Sequence, residues 1–116
     1  ESLDELLKTL HDNNLQKIPL LVKIAPDLNE REIEAIVDIA LKLDLAGIIA
    51  TNTTVSREGL KTNINETGGL SGKPLTTRST EVISKIYRYS NGKIPVIGVG
   101  GIFDANDAFE KKVFKI

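Results

Sequence analysis

The spacing of apolar positions predicts helices separated by short, almost wholly apolar strands. Apolar residues recur every three or four positions near the start of the chain, from about Asn29 to Leu43, around Val82–Tyr87 and after Asp104. That period is typical of amphipathic helices. Short apolar runs between such segments are typical of buried strands covered on both faces of a parallel sheet. The predicted strands are Ile18–Ile24, Leu45–Ala50 and Ile94–Val99.

Polar residues mark where several of these helices begin and end. Ser2 precedes Glu5, and Asn29 precedes Glu32, at the spacing of a capping box, in which each partner satisfies a free backbone N–H of the other. The pair Asn91–Gly92 favours a left-handed stop after the third helix. The predicted order is therefore one helix followed by three strand and helix repeats.

This alternation of strands and helices predicts an α/β fold with parallel strands and right-handed crossovers. Both a doubly wound sheet and part of an eight-stranded barrel have this order, and the period alone does not choose between them. In both folds ligands gather at the carboxyl ends of the strands, so functional residues are expected there.

Composition narrows the function classes. The chain has 116 residues, of which 41% are hydrophobic and 27% charged, as expected of one folded domain. A net charge of −1 does not favour nucleic acid. With no Cys and a single His, disulfides and thiolate metal sites are excluded, and we predict no metal. No apolar run has the length of a spanning helix, so we expect the chain itself to be soluble.

Each predicted strand ends in a different kind of candidate site. Lys23 stands inside an apolar run, where its ammonium needs an anionic or strongly accepting partner, such as a cofactor. A neighbouring carboxylate or an extended side chain at the rim would satisfy it equally well. The second strand ends in Thr51–Thr54, four side chains that can hydrogen-bond a flat polar ligand but are also common in turns.

Glycines dominate the remaining candidate segments. Gly98–Gly101 ends the third strand with backbone N–H groups that could approach a phosphate, although a tight turn also requires glycine. The spacing is not that of a dinucleotide-binding G-x-G-x-x-G motif. The segment from Thr54 to Thr76 contains four glycines and no clear period, and loops of this length are usually functional.

Four ordered motifs together resemble the class 2 dihydroorotate dehydrogenases. The motifs are Val22–Leu28, Thr51–Thr54, Glu66–Leu75 and Gly98–Ile102, and the resemblance covers roughly Ile18–Glu110. It implies that residues 1–116 form a single partial domain, the carboxyl-terminal portion of an FMN-binding (β/α)8 TIM barrel. About three consecutive β/α units would resemble strands five to seven of that barrel.

The resemblance also implies an activity and its partners. Members of the family oxidise dihydroorotate to orotate with FMN as hydride acceptor, in pyrimidine biosynthesis, and pass the electrons to a quinone. The parent enzyme would be associated with a bacterial or mitochondrial inner membrane and would reach its quinone through an N-terminal region upstream of this chain. No nucleic acid or metal is implied.

Individual residues take roles only by matching the family motifs. Asn52 and Thr53 would bind the substrate and hold it flat against the flavin. The cofactor would be contacted by Lys23, Thr51, Ser71, Gly72, Gly100 and Gly101. The family's catalytic base is a serine upstream of Glu1, so no catalytic residue is assigned within this chain.

Two features leave alternatives open. The segment Lys111–Ile116 does not follow the family pattern, and a chain that carries under half of a barrel is expected to be inactive alone. The alternative functions are a non-catalytic scaffold remnant and a related FMN barrel that acts on another pyrimidine.

Overall fold

A computed structural model describes residues 2–113 of the chain. Its helices are α1 (Leu3–Asn13), α2 (Glu30–Lys42), α3 (Thr76–Tyr89) and α4 (Ala105–Val113), and a 3₁₀ turn, Lys73–Leu75, leads into α3. The strands are β1 (Leu21–Ile24), β2 (Gly47–Ala50) and β3 (Val96–Gly98). The predicted order of one helix and three strand and helix repeats is confirmed.

The three strands form one parallel sheet in chain order, β1-β2-β3. Lys23 pairs with Ile49, which in turn pairs with Ile97, while Ala50 links Ile24 to Gly98. All three strands therefore run the same way, and their carboxyl ends lie at one edge of the sheet.

The core lies between one face of the sheet and the helices α2 and α3. Alternate strand residues such as Val22, Ile24 and Ile48 point to this face and are buried. They belong to the same apolar cluster as Ile33 and Val37 of α2, and as the α3 residues Val82, Ile83 and Ile86. Burial of this cluster supplies the main favourable term for folding of the segment.

The other face of the sheet is not covered by residues 2–113. Leu21 is 43% exposed and Ile97 50% exposed, and Lys23 on the same face is also exposed. The expectation that β1 is covered on both faces is therefore wrong for the described residues. The apolar run predicted it because it is suited to burial on both sides, and only one side has its helices here.

Local contacts explain the helix bounds and the shorter strands. Both capping boxes are present, with Glu5 N donating to Ser2 Oγ at 3.3 Å and Glu32 N donating to Asn29 Oδ1 at 3.0 Å. The first strand begins three residues later than predicted, at Leu21 instead of Ile18. The side chain of Asn14 instead bonds both backbone groups of Ile18, at 2.9 and 2.6 Å, and so fixes a turn there.

Charged side chains of α3 bind the preceding β/α unit. Arg78 donates to the carbonyl oxygens of Pro26 and Leu28, at 2.8 Å each, and so holds the segment that follows β1. Lys85 Nζ lies 2.8 Å from Glu30 Oε1 at the start of α2. No helix within residues 2–113 has the length and apolar character needed to cross a membrane.

Candidate functional site

The ends of the three strands are joined by backbone hydrogen bonds that continue beyond the sheet. Asn52 N donates to Ile24 O at 2.7 Å, and Thr51 N donates to Val99 O at 2.8 Å. Val99 N in turn donates to Ala50 O at 2.6 Å. Thr51 and Asn52 are therefore fixed between the end of β1 and the glycine segment after β3.

Lys23 stands on the uncovered face of the sheet, one residue before the end of β1. Its register partner Ile49 lies on β2, two positions before Thr51. Among residues 2–113 the Lys23 ammonium has neither a hydrogen bond nor an ion pair, so the neighbouring carboxylate that could have explained it is not found there. The exposed Lys23 ammonium is therefore free to contact an anionic or electron-rich partner lying on this face.

Thr51 is buried while the two residues after it are exposed. The Thr51 hydroxyl oxygen is shielded from water and has no hydrogen-bond partner within the described part of the chain. Buried hydroxyls are normally satisfied, so this atom has an unmet capacity to bind a polar group. Thr53 N donates to Asn52 Oδ1 at 2.9 Å, which holds the Asn52 amide beside the chain.

Asp27, which no sequence pattern indicated, connects the segments that follow β1 and β2. Its carboxylate accepts a hydrogen bond from the Thr54 hydroxyl and another from Val55 N at 3.2 Å. The side chain of Thr54 is thereby turned into the protein, and Thr54 is buried. Of the polar cluster Thr51–Thr54, only Asn52 and Thr53 remain exposed at the strand end.

The long segment after Thr54 folds back on the strand ends. Thr54 and Leu70 form an antiparallel bridge, with backbone bonds of 3.0 and 2.7 Å. Arg57 crosses the loop and donates to Glu66 O at 2.9 Å and Gly68 O at 2.7 Å. Gly69 lies so close to Thr53 that a Cβ there would overlap the threonine side chain. The loop therefore packs directly on a predicted substrate-binding residue.

Ser71 and Gly72 complete this loop just before the 3₁₀ turn. Gly72 has a φ of 89°, which an L side chain rarely adopts, and its carbonyl accepts a bond from Leu75 N at 3.0 Å. A Cβ on Gly72 would lie 3.8 Å from the Phe103 ring, so this glycine is close to the segment after β3. Ser71 is exposed.

Gly100 and Gly101 follow β3 and pack on the first turn of α3. Their φ angles are 102° and 65°. Ser79 Oγ donates to Gly100 O at 3.0 Å, and Thr76 Oγ1 donates to Gly101 O at 2.7 Å. A Cβ on Gly101 would collide with the backbone of Thr76, so packing on α3 requires glycine there whether or not a ligand is present.

Lys111 of α4 is a buried lysine that the sequence patterns did not reveal. It is 5% exposed, and its Nζ lies 2.6 Å from Ser79 Oγ, 2.8 Å from Thr80 Oγ1 and 3.2 Å from Thr76 O. Burial lowers the pKa of this ammonium, and the nearby carboxylates of Asp107 and Glu110 oppose that shift. The segment that departs from the family pattern thus places a cation behind the glycine turn, while residues 114–116 of that segment lie outside the described residues.

The strand-end residues share an open surface instead of an enclosed cavity. A hollow of about 250 Å³ lies beside them, lined in part by Asp27, Thr54 and Arg78. A larger hollow, of about 420 Å³, lies at the opposite end of the strands, near His11 and Lys17. Within residues 2–113, no cluster of acidic, His or Cys side chains could hold a metal ion.

Comparison with known proteins agrees with the motifs. The family model described as dihydroorotate dehydrogenase matches residues 1–113. A dihydroorotate dehydrogenase (quinone) of Christiangramia forsetii is 56% identical over 115 residues, which are 96% of this chain and 34% of that protein. A protein of the same name from Gloeobacter violaceus is 52% identical over 111 residues, which are 96% of this chain and 31% of that protein. The chain therefore spans about a third of the length of these curated relatives.

A solved structure gives the same answer for the fold. The crystal structure of DHODH from Eimeria tenella in complex with ferulenol matches this chain with a TM-score of 0.76 and 47% sequence identity. The match covers 79% of this chain and 25% of the Eimeria tenella chain. The expected α/β fold, part of a TIM barrel, is thereby confirmed. Motifs, model match and structural likeness agree, and the chain belongs to the dihydroorotate dehydrogenase family.

Proposed function

We propose that this chain supplies one side of the active site of a quinone-dependent dihydroorotate dehydrogenase that oxidises dihydroorotate to orotate with FMN. The parent enzyme would act in pyrimidine biosynthesis at a bacterial or mitochondrial inner membrane and pass electrons to a quinone. The relatives named dihydroorotate dehydrogenase (quinone) support this activity. The observation that carries the assignment of the site is the buried, unpartnered hydroxyl of Thr51 at the edge where the three strand ends meet.

The residues at this edge fit FMN, which combines a flat ring with a phosphate. Lys23 is a cation without a protein partner among the described residues, and Thr51 offers an unused hydroxyl. The amides of Gly100 and Gly101 donate to no acceptor within residues 2–113, where Gly100 is half-buried and Gly101 buried. Unpaired backbone amides in a turn of this kind can bind an anion. A cation, a hydroxyl and unpaired backbone amides can each contact a part of a phosphorylated ring system.

FMN, when bound, would supply the hydride-accepting ring. Lys23 would lie beside that ring and stabilise the negative charge that accumulates on it, because a fixed cation in a site shielded from water interacts strongly with developing charge. Thr51 would contact the cofactor from the neighbouring strand end. Ser71, Gly72, Gly100 and Gly101 would bind its ribityl phosphate side through closely approaching backbone.

Asn52 and Thr53 would hold the substrate. Both are exposed, next to each other in the chain and fixed by the bond from Asn52 N to Ile24 O. Their amide and hydroxyl groups would hydrogen-bond the ring edge and carboxylate of dihydroorotate, and so orient it for transfer of hydride. The proton would leave to a base outside this chain, since no residue here matches the family's serine.

The proposal is tested on the full-length protein that contains this chain. We expect the purified protein to carry FMN absorbance and to reduce a soluble quinone analogue when dihydroorotate is added. Lys23→Met should slow reduction of the flavin by dihydroorotate about 100-fold or more, the cost of removing a group that stabilises developing charge. Lys42→Met, on the exposed end of α2, is the matched control and should leave this rate unchanged.

Other outcomes identify the alternatives. A colourless full-length protein that does not take up FMN would support the hypothesis of a non-catalytic scaffold and contradict the proposal. A yellow protein that is reduced by another dihydropyrimidine but not by dihydroorotate would indicate a related barrel with a different substrate. Retention of the full reduction rate in Lys23→Met would contradict the role of this lysine.

A further inference from the structure

The ammonium of Lys111 is buried against neutral oxygen atoms. Its three acceptors are the hydroxyls of Ser79 and Thr80 and the carbonyl of Thr76. No carboxylate among residues 2–113 forms an ion pair with it, although Asp107 and Glu110 stand on the same helix. A buried cation is normally balanced by an anion, so a negative group that binds nearby would be stabilised by this one.

The directions of the hydrogen bonds around Ser79 follow from the donors available. An ammonium can only donate, so the 2.6 Å contact is a hydrogen bond from Lys111 Nζ to Ser79 Oγ. The single proton of the Ser79 hydroxyl must then point elsewhere. Gly100 O at 3.0 Å is a better acceptor for it than Thr76 O at 3.4 Å. The result is a directed chain from Lys111 through Ser79 to the Gly100 carbonyl.

That carbonyl belongs to the peptide group whose N–H is contributed by Gly101. Donation to a peptide oxygen polarises the group, and hydrogen bonds in such a chain strengthen one another. The Gly101 N–H therefore becomes a stronger donor, because the Gly100 carbonyl of the same peptide group accepts a hydrogen bond from Ser79. Ser79 is fully buried, so water does not compete for this link.

We propose that Lys111 and Ser79 are positioning residues that strengthen the binding of a phosphate group by the Gly100–Gly101 turn. The ligand class is a phosphate monoester, which on the proposed function is that of FMN. Lys111 does not touch the phosphate. It acts through Ser79 and the peptide group, and its charge adds to the positive field at the turn.

A purely structural role would make a different prediction. If Lys111 only fastened α4 to α3, its loss would weaken all ligands of the barrel alike. If the chain of hydrogen bonds serves the phosphate, its loss should weaken FMN and spare riboflavin, which has the same ring without the phosphate. The ratio of the two dissociation constants therefore separates the roles.

The experiment uses the full-length protein freed of flavin, with affinities for FMN and riboflavin measured from flavin fluorescence. Ser79→Ala removes the hydroxyl that polarises the Gly100–Gly101 peptide group. We expect it to weaken FMN about two- to fourfold, because it removes polarisation of a donor and not a direct contact, and to leave the riboflavin affinity unchanged. Lys111→Met should weaken FMN at least as much. The exposed neighbour Lys112, changed to Met, is the matched control and should retain both affinities.

A double variant tests whether the two residues act in one chain. Ser79→Ala combined with Lys111→Met should lose little more FMN affinity than Lys111→Met alone, because contacts in one network are not additive. Should Lys111→Met fail to fold, Ser79→Ala alone decides. A folded Ser79→Ala protein with unchanged FMN affinity, or with equal losses for both flavins, overturns the inference. A wild type that binds neither flavin overturns the proposed function as well.

Discussion

Arg57 is expected to control substrate affinity by holding the loop that packs on Thr53. The variant Arg57→Met removes both bonds across the loop, to Glu66 O and Gly68 O, while it retains much of the apolar stem. Gly69 lies next to these carbonyls and touches Thr53. Loss of the guanidinium should therefore loosen the part of the loop that keeps Thr53 in place.

The magnitude follows from the two bonds. Hydrogen bonds from a charged donor contribute roughly 1.5 to 3 kcal/mol when shielded from water. Because Arg57 is only half-buried, we assign about 1 kcal/mol to each of its two bonds across the loop. About 2 kcal/mol corresponds to a factor of about 30 in the population of the ordered loop. If only the ordered loop binds substrate, the apparent affinity falls by up to that factor. We expect KM for dihydroorotate to rise between about 5- and 30-fold, with a smaller change in kcat.

Steady-state kinetics and trypsin cleavage on the full-length protein measure the two effects. The exposed Lys61 lies within the loop, and its cleavage should accelerate in Arg57→Met as the loop opens. Arg31→Met, on the exposed surface of α2, is the matched control for loss of one guanidinium. If KM and the rate of cleavage at Lys61 both stay within twofold of the wild type, Arg57 does not order the loop.

Three further changes test the site and the fold. Thr51→Val removes the unpartnered hydroxyl, so the flavin-free protein should melt no lower than the wild type while flavin affinity falls severalfold; unchanged affinity would argue against contact. A hydrogen bond from Lys85 lowers the pKa of Glu30 below its ordinary 4.5. This contribution is present above pH 4.5 and is lost as pH falls through the lowered value, so the gap in melting temperature between wild type and Glu30→Gln should close in acid. Ile48→Ala, at a fully buried position of β2, should cost about 2 to 5 kcal/mol in urea unfolding, and Val55→Ala, 77% exposed, less than about 0.5.

Local signals allowed much of the fold to be predicted. The capping boxes at Ser2 and Asn29 form as expected because both partners lie within one helical turn. Asn91 and Gly92 have φ angles of 49° and 70°, and so provide the predicted left-handed stop. The apolar runs located all three strands and the carboxyl ends of β1 and β2, but they placed all three strand starts two or three residues too early. Where a strand begins depends on pairing and on side chains such as Asn14.

The supporting part of the site could not be predicted in this way. Asp27 meets Thr54, and Lys111 meets Ser79, across 27 and 32 positions of the chain. Such contacts exist only once the sheet brings separate segments together. Lys111 had the further disadvantage of standing beside Lys112 in a segment whose pattern indicated nothing. The roles of Lys23, Asn52 and Ser71 rest on motif resemblance and stay predictions.

The strand order β1-β2-β3 bears on how such barrels can be recombined. Within residues 2–113 the strands are neighbours in space in the order in which they are synthesised, and each connection passes over the same helix-covered face. A block of this kind can be exchanged between parallel barrels if its two outer strands, β1 and β3, form backbone hydrogen bonds with the strands of the new barrel. No connection between its strands has to change. Chimaeras joined ahead of β1 and beyond α4 would carry the loop and the glycine turn as one inherited unit.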